Sequence, residues 1–260
     1  MSEENESRTE RRPKEMGFLD HLEELRWRII WSLLGIVTGS ILVWVFKDYV
    51  MDQFLLAPAI KYGLKLQNIR PFGQVFLYME VAIVGGLILS IPNTFFQIWL
   101  FIAPGLFQHE RKYIKWIVIF TSFCFLAGVA FAYYTMLPAA FQFFTSFGSE
   151  KIQNIIAIDE YFNFILSVML GAGLVFELPM VSFFLSKLGI LTPAFMRHYR
   201  RHSIVVIFIA SALLTPGTDP VSQIILAIPL LLLYEISIFI SKVSQKKPKE
   251  EVTDPEPSKG

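Results

Sequence analysis

The chain has 260 residues, of which 54% are apolar and 17% charged, and a formal net charge of +1. Soluble domains are usually about 45–50% apolar and about 25% charged, so disorder of the whole chain is excluded, and near-neutrality argues against nucleic-acid binding. The single cysteine, Cys124, excludes an internal disulfide and any multi-cysteine metal site, and 25 Phe with 15% aromatics suit a chain that meets lipid.

The charges come in blocks. The first 28 residues carry 14 of them, and none lies between Ile29 and Phe46. A helix needs about 20 apolar residues to cross ~30 Å of hydrocarbon, so residues 1–16 read as a disordered tail and Trp27–Phe46 as the first span. This start is not read as a cleavable signal peptide, because a long charged tail precedes the apolar run and no small-x-small site follows it. Arg11-Arg12 is not read as an export signal, because Pro13 and further charges follow it. The second span is expected over Gln74–Phe101, kinked at Pro92 and ended by Pro104-Gly105. The third is expected over Tyr113–Leu137, and the fourth over Asp159–Lys187 with Glu177 near its middle.

Thr192-Pro193 is an N-cap followed by proline at the first helical position. The fifth helix is therefore expected to start there, carry Arg197, Arg200 and Arg201, and then span Arg200–Leu214. The apolar stretch from Ser203 to Thr215 covers only about 20 Å of helix, short for the bilayer. A tight turn at Thr215–Thr218 leads to Asp219-Pro220 and the sixth span, Pro220–Ser241. Residues 243–260 are charged and proline-containing, and read as a second disordered tail. The apolar runs are continuous and too long for barrel strands. The expectation is an all-α integral membrane protein with six transmembrane helices in residues 17–242, the fifth and sixth short.

With the N-terminus inside, 18 of 23 Lys/Arg fall on the inner segments, which puts both termini in the cytoplasm. Trp27, Trp31, Trp99 and Trp116 at the inner ends, and Trp44, Tyr133 and Tyr134 at the outer, read as interfacial belts.

Some polar groups sit where lipid should exclude them. A charge in the middle of a membrane helix costs about 3 kcal/mol on insertion scales, so Glu177 is a candidate functional group. Glu235 is close enough to the end of its span to reach the interface. At the inner face, Glu24 and Arg26 are two residues apart and cannot face one another on a helix, so each is read as free for another partner. Glu110 follows in Gln108-His109-Glu110-Arg111-Lys112. Two such acids suit a basic ligand, because a carboxylate takes a guanidinium in a planar fork that lysine cannot reproduce. Enzyme signatures are absent: there is no G-x-x-x-x-G-K loop and no H-E-x-x-H. A proton-coupled small-molecule transporter built on Glu177 and Glu235 stands as the alternative.

These residues resemble the TatC family, the multispanning component of the twin-arginine protein translocase. The resemblance covers about Gly17 to Lys242. It rests on His21-Leu22-Glu23-Glu24-Leu25-Arg26, on Ile102-Ala103-Pro104-Gly105-Leu106 before His109-Glu110-Arg111, and on Phe176-Glu177-Leu178-Pro179. Leu214-Thr215-Pro216, Asp219, Ser222-Gln223, Ala227-Ile228-Pro229 and Tyr234-Glu235 complete it. It implies a cupped arrangement of six helices and no cofactor. The implied role is receptor for arginine-pair signal peptides, exporting folded proteins with single-span TatA and TatB on the proton gradient. By the same resemblance Glu24, Arg26, Phe101 and Glu110 match signal-peptide-binding positions. Glu177 and Asp219 match functional acids, Thr215 and Gln223 match partner contacts, and Pro58 and Pro92 match structural prolines. Localisation in the cytoplasmic membrane and an oligomeric complex follow from it.

Overall fold

The structure, a computed structural model, describes residues 18–102, 114–146, 155–187, 189–214 and 220–244. Almost all of them are helical, because a backbone in lipid has only itself to bond with. The elements in order are α1 (Phe18–Val45), α2 (Lys47–Tyr49), a π-helical turn (Val50–Leu55), α3 (Ala57–Lys61), β1 (Lys65–Gln67) and α4 (Gly73–Ile102). Next come α5 (Ile114–Phe131), a second π-helical turn (Ala132–Met136), α6 (Leu137–Ser146), β2 (Ile155–Ala157), α7 (Ile158–Val175), α8 (Leu178–Lys187), α9 (Pro193–His198), α10 (Arg200–Leu214) and α11 (Pro220–Ser244). Five helical runs are long and apolar enough to cross a membrane: Leu19–Val45, Gly73–Ile102, Ile114–Ser146, Ile158–Lys187 and Leu226–Val243.

Several expectations need correcting. The third run continues to Ser146, beyond the expected end at Leu137, and takes a π-helical turn just before Pro138. Pro138 has no N–H to give the carbonyl of Tyr134, and a wider turn accommodates that gap. The fourth run is broken at Phe176 and Glu177, between α7 and α8, where Pro179 likewise cannot bond back to Val175. The fifth element is two helices. Thr192 does cap α9, accepting the Phe195 N–H at 3.1 Å, but the chain turns at Tyr199 before α10. Of the two helices expected to be short, α10 has 15 residues, about 22 Å. By contrast α11 has 25 residues, about 37 Å, so shortness belongs to α10 alone. The expected second span is present as α4, with Pro92 inside it. Trp27, Trp31, Trp44 and Trp116 are exposed as a belt requires, whereas Trp99 is only 6% exposed and lies inside the protein. Among the described residues the all-helical expectation has one exception, a two-stranded parallel ladder that pairs Lys65 with Ile155 and Gln67 with Ala157.

The chain divides into two compact units. The first contains residues 1–45 and 82–122, and its seam is α1 against the later part of α4. Along this seam Arg28 bonds Gln97, and the Asn93 amide donates to the Trp31 carbonyl at 3.1 Å. Further along, Gly39 meets Gly86 and Val43 meets Gly85. Rising numbers in α1 meet falling numbers in α4, so the two run antiparallel. Small residues let membrane helices approach closely, where dispersion and polar bonds can act.

The second unit contains residues 46–81 and 123–260. Near the start of α7, the Tyr161 hydroxyl donates to the Leu55 carbonyl at 2.7 Å and accepts the Ala59 N–H at 3.1 Å. The ring is 2% exposed and stacks on Phe141 at 5.5 Å. Arg70 pairs with Asp159 at 3.2 Å beside the β ladder. Elsewhere in this unit Gly128 and Gly173 bring α5 and α7 together: a Cβ on Gly128 would lie 2.7 Å from the Ala172 carbonyl oxygen. Ser186 and Ser241, both buried, share a 2.6 Å hydrogen bond between α8 and α11. Tyr161→Phe removes both hydroxyl bonds and strands a buried N–H, a loss of about 1–3 kcal/mol. The expected result is a lower thermal midpoint in detergent; an unchanged midpoint contradicts this account of the Tyr161 contacts.

Candidate functional site

The N-terminal end of α1 carries the candidate receptor residues. Glu24 and Arg28 are one helical turn apart, the spacing at which side chains on a helix meet. Arg28 Nη2 donates to Glu24 Oε1 at 3.0 Å, and Nη1 donates to Gln97 Oε1 on α4 at 3.3 Å. Both charged side chains are partly buried, and Gln97 is 8% exposed. Arg28 Nε is buried and has no hydrogen-bond partner among the described residues. His21, one turn before Glu24, stacks on Phe101 of α4 with centroids 4.3 Å apart and planes at 15°.

Glu24 and Phe101, two of the expected binding residues, thus belong to one end of one helix pair. Arg26 is exposed beside them. The expectation that Glu24 is free for an outside partner needs correcting, since its carboxylate already accepts the Arg28 guanidinium. Glu110 lies outside the described residues, as do Thr215 and Asp219. Sequence reasoning missed Arg28 and Gln97. The i, i+4 spacing could have found the first; nothing local marks the second, 69 residues away.

Glu177 lies in the break between α7 and α8. It is 8% exposed, and its Oε1 is buried without a partner among the described residues. Its backbone keeps the chain ordered through the break: the N–H donates to Leu174 at 3.1 Å and the carbonyl accepts from Val181 at 2.9 Å. Phe176 beside it packs on Phe131 at 5.6 Å. A carboxylate buried in a dry setting is costly, and no cation pairs with it among the described residues.

On the α10–α11 pair, the Gln223 amide donates to the Phe208 carbonyl at 2.8 Å, so this expected partner residue already joins the two helices. Glu235 is paired with Arg200, and the neighbouring Tyr234 hydroxyl donates to the Met196 carbonyl at 2.8 Å. Together these fasten α9 and the start of α10 to α11. No group of three or more His, Cys, Asp or Glu among the described residues is placed to hold a metal ion.

Comparison with known proteins gives a consistent result. The family model for TatC, the Sec-independent protein translocase protein, matches residues 20–229. The Sec-independent protein translocase protein TatC of Carboxydothermus hydrogenoformans is 41% identical over 237 residues, covering 91% of this chain and 96% of that protein. The TatC of Aquifex aeolicus is 34% identical over 239 residues, covering 90% and 98%. A crystal structure of the twin-arginine translocase receptor TatC matches with a TM-score of 0.78 at 34% identity, covering 86% of this chain and 99% of that one. With its apolar helical runs and a match over most of its length, the chain belongs to the TatC family: it is a multi-pass membrane component of the twin-arginine protein translocase, a transport protein rather than an enzyme.

Proposed function

We propose that this chain is the translocase subunit that binds the arginine pair of export signal peptides at the cytoplasmic face of the inner membrane. Glu24 and Glu110 are the acceptors, and Arg26 and Phe101 border the site. The observation that carries this reading is the Glu24 carboxylate at the head of α1, which already takes a guanidinium from Arg28 at 3.0 Å. The basic residues of the inner segments set the orientation. With TatA- and TatB-type single-span proteins, which would meet the chain near Thr215 and Gln223, it would export folded proteins on the proton gradient as part of an oligomeric complex. The transporter alternative is the weaker one, because Glu235, one of its two carboxylates, is engaged by Arg200.

The test is titration of the chain in lipid nanodiscs with a fluorescent twin-arginine peptide. Saturable binding is expected, with a twin-lysine peptide about tenfold weaker or worse, since a bidentate fork is lost; no saturable binding would overturn the receptor reading. Glu177 is proposed to attract a polar group of the cargo or of a partner helix within the membrane. Glu177→Gln should insert normally yet lose signal-peptide or partner crosslinks near α7 and α8, and unchanged crosslinks would remove that role.

A further inference from the structure

The pairing of Glu24 with an arginine of its own chain is an unexpected feature in a site meant for another arginine. A lone carboxylate on an exposed helix end draws any cation, and an ammonium ion satisfies it as well as a guanidinium does. Selection of arginine needs a carboxylate held still, because only the planar fork gains from a fixed orientation while lysine acts as a point charge. Glu24 is held in this way. Arg28 grips it through one oxygen, and Gln97, from a different helix, grips Arg28. An ordinary exposed i, i+4 pair is mobile and worth little; this one has a third, buried member.

The hydrogen bonds also show what is left open. Arg28 could take a carboxylate side-on through Nε and Nη2 together. Instead Nε is buried without an acceptor, and Glu24 is bound through Oε1 alone. An ionised carboxylate offers about four lone-pair sites, and Arg28 uses one of them. Oε2 is not spent on the internal pair. In addition, the Glu24–Arg28 pair has no net charge of its own, although Asp20, Glu23 and Arg26 stand on the same helix end. The charge of Glu24 is thus largely balanced from within, and its choice between one cation and another must come from geometry.

We propose that Arg28, anchored to α4 through Gln97, is a positioning residue that makes the Glu24 carboxylate choose arginine over lysine in the signal peptide. This rests on the reading that Glu24 receives one of the signal arginines. Arg28 itself does not touch the peptide; it fixes the acceptor and cancels the charge that would otherwise admit lysine.

The test measures affinities of twin-arginine and twin-lysine peptides for the full chain in nanodiscs. In Arg28→Gln the ratio of the two affinities should fall about tenfold, the worth of one oriented bond to a charged group, and twin-lysine binding should strengthen. In Gln97→Leu, which keeps the Arg28 charge but frees it from α4, the ratio should fall without a gain in twin-lysine binding. This second variant also serves if Arg28→Gln does not fold. An unchanged ratio in the variants that fold overturns the proposal. Glu24→Gln, run alongside, separates the two levels. If it leaves twin-arginine binding intact, the receptor reading of Glu24 fails and the proposal with it. If it weakens binding while the ratios stay unchanged, the positioning role alone fails.

Discussion

Replacing both Glu24 and Glu110 with alanine is expected to weaken twin-arginine signal-peptide binding by about 100-fold or more. Each hydrogen bond to a charged group is worth about 1.5–3 kcal/mol, and 1.4 kcal/mol is a factor of ten. Two separate acceptors therefore give about two decades at the low end. Glu24→Ala alone should cost about tenfold and should also leave the Arg28 side chain with Gln97 as its one partner among the described residues. The fold should tolerate that loss, because the pair is partly exposed and Arg28 keeps its bond to Gln97. Insertion and thermal midpoint are measured in parallel. Binding within twofold of wild type in the double variant, with normal insertion, would show that carboxylates are not the acceptors.

Gly86→Leu should be the most damaging single change in the α1–α4 seam. A Cβ at this position would fall on the backbone nitrogen and hydroxyl of Ser40 and lie 2.6 Å from its Cα. These are mostly backbone atoms of a facing helix and cannot turn aside. The neighbouring contact is also tight: a Cβ on Gly39 would lie 2.6 Å from the Gly86 carbonyl oxygen. Relief comes only by moving the helices apart, which strains the Asn93–Trp31 and Arg28–Gln97 bonds on the same seam. Overpacking of a filled site typically costs about 1–3 kcal/mol and sometimes more, and a backbone clash belongs at the upper end. The readout is the thermal midpoint and monodisperse yield in detergent. A wild-type midpoint for Gly86→Leu would mean that α1 and α4 do not pack at this point. Because the seam carries the Arg28 anchor, folded Gly86→Leu protein should also lose arginine-over-lysine selectivity.

The sequence was most legible where lipid imposes a single rule. Uncharged stretches such as Ile29–Phe46 and Val81–Ile102 marked the C-terminal ends of the first two spans to within a residue, because a bilayer excludes charge and forces helix, whereas α1 begins at Phe18, well before the expected Trp27. It was less legible where two rules meet. Pro179 is visible in the sequence, but its effect falls two to three residues earlier, at Phe176 and Glu177, where the bond that proline cannot make is missing. Thr192-Pro193 marked the start of α9 correctly. Nothing in the sequence marked Tyr199, where the segment held by Tyr234 and Glu235 turns before α10. The β1–β2 ladder is three residues on each side, too short for alternation to show. Trp99 shared the sequence position of a belt residue and not its facing, because distance from a helix end does not tell which side looks at lipid. At the site, Glu24 was legible as an acid out of place. Its restraint by Arg28 and Gln97 was not, because half of it comes from a helix far away in the chain.

The central claim is that the head of α1 receives the arginine pair of a signal peptide. The most direct measurement uses a twin-arginine peptide with a photoreactive residue beside the arginines, bound to the chain in nanodiscs, with the products mapped by mass spectrometry. The account predicts products within residues 18–28 and within the 103–113 segment that carries Glu110, both suppressed by excess unlabelled twin-arginine peptide and not by its twin-lysine counterpart. Specific products that map elsewhere, with none in residues 18–28, would contradict it.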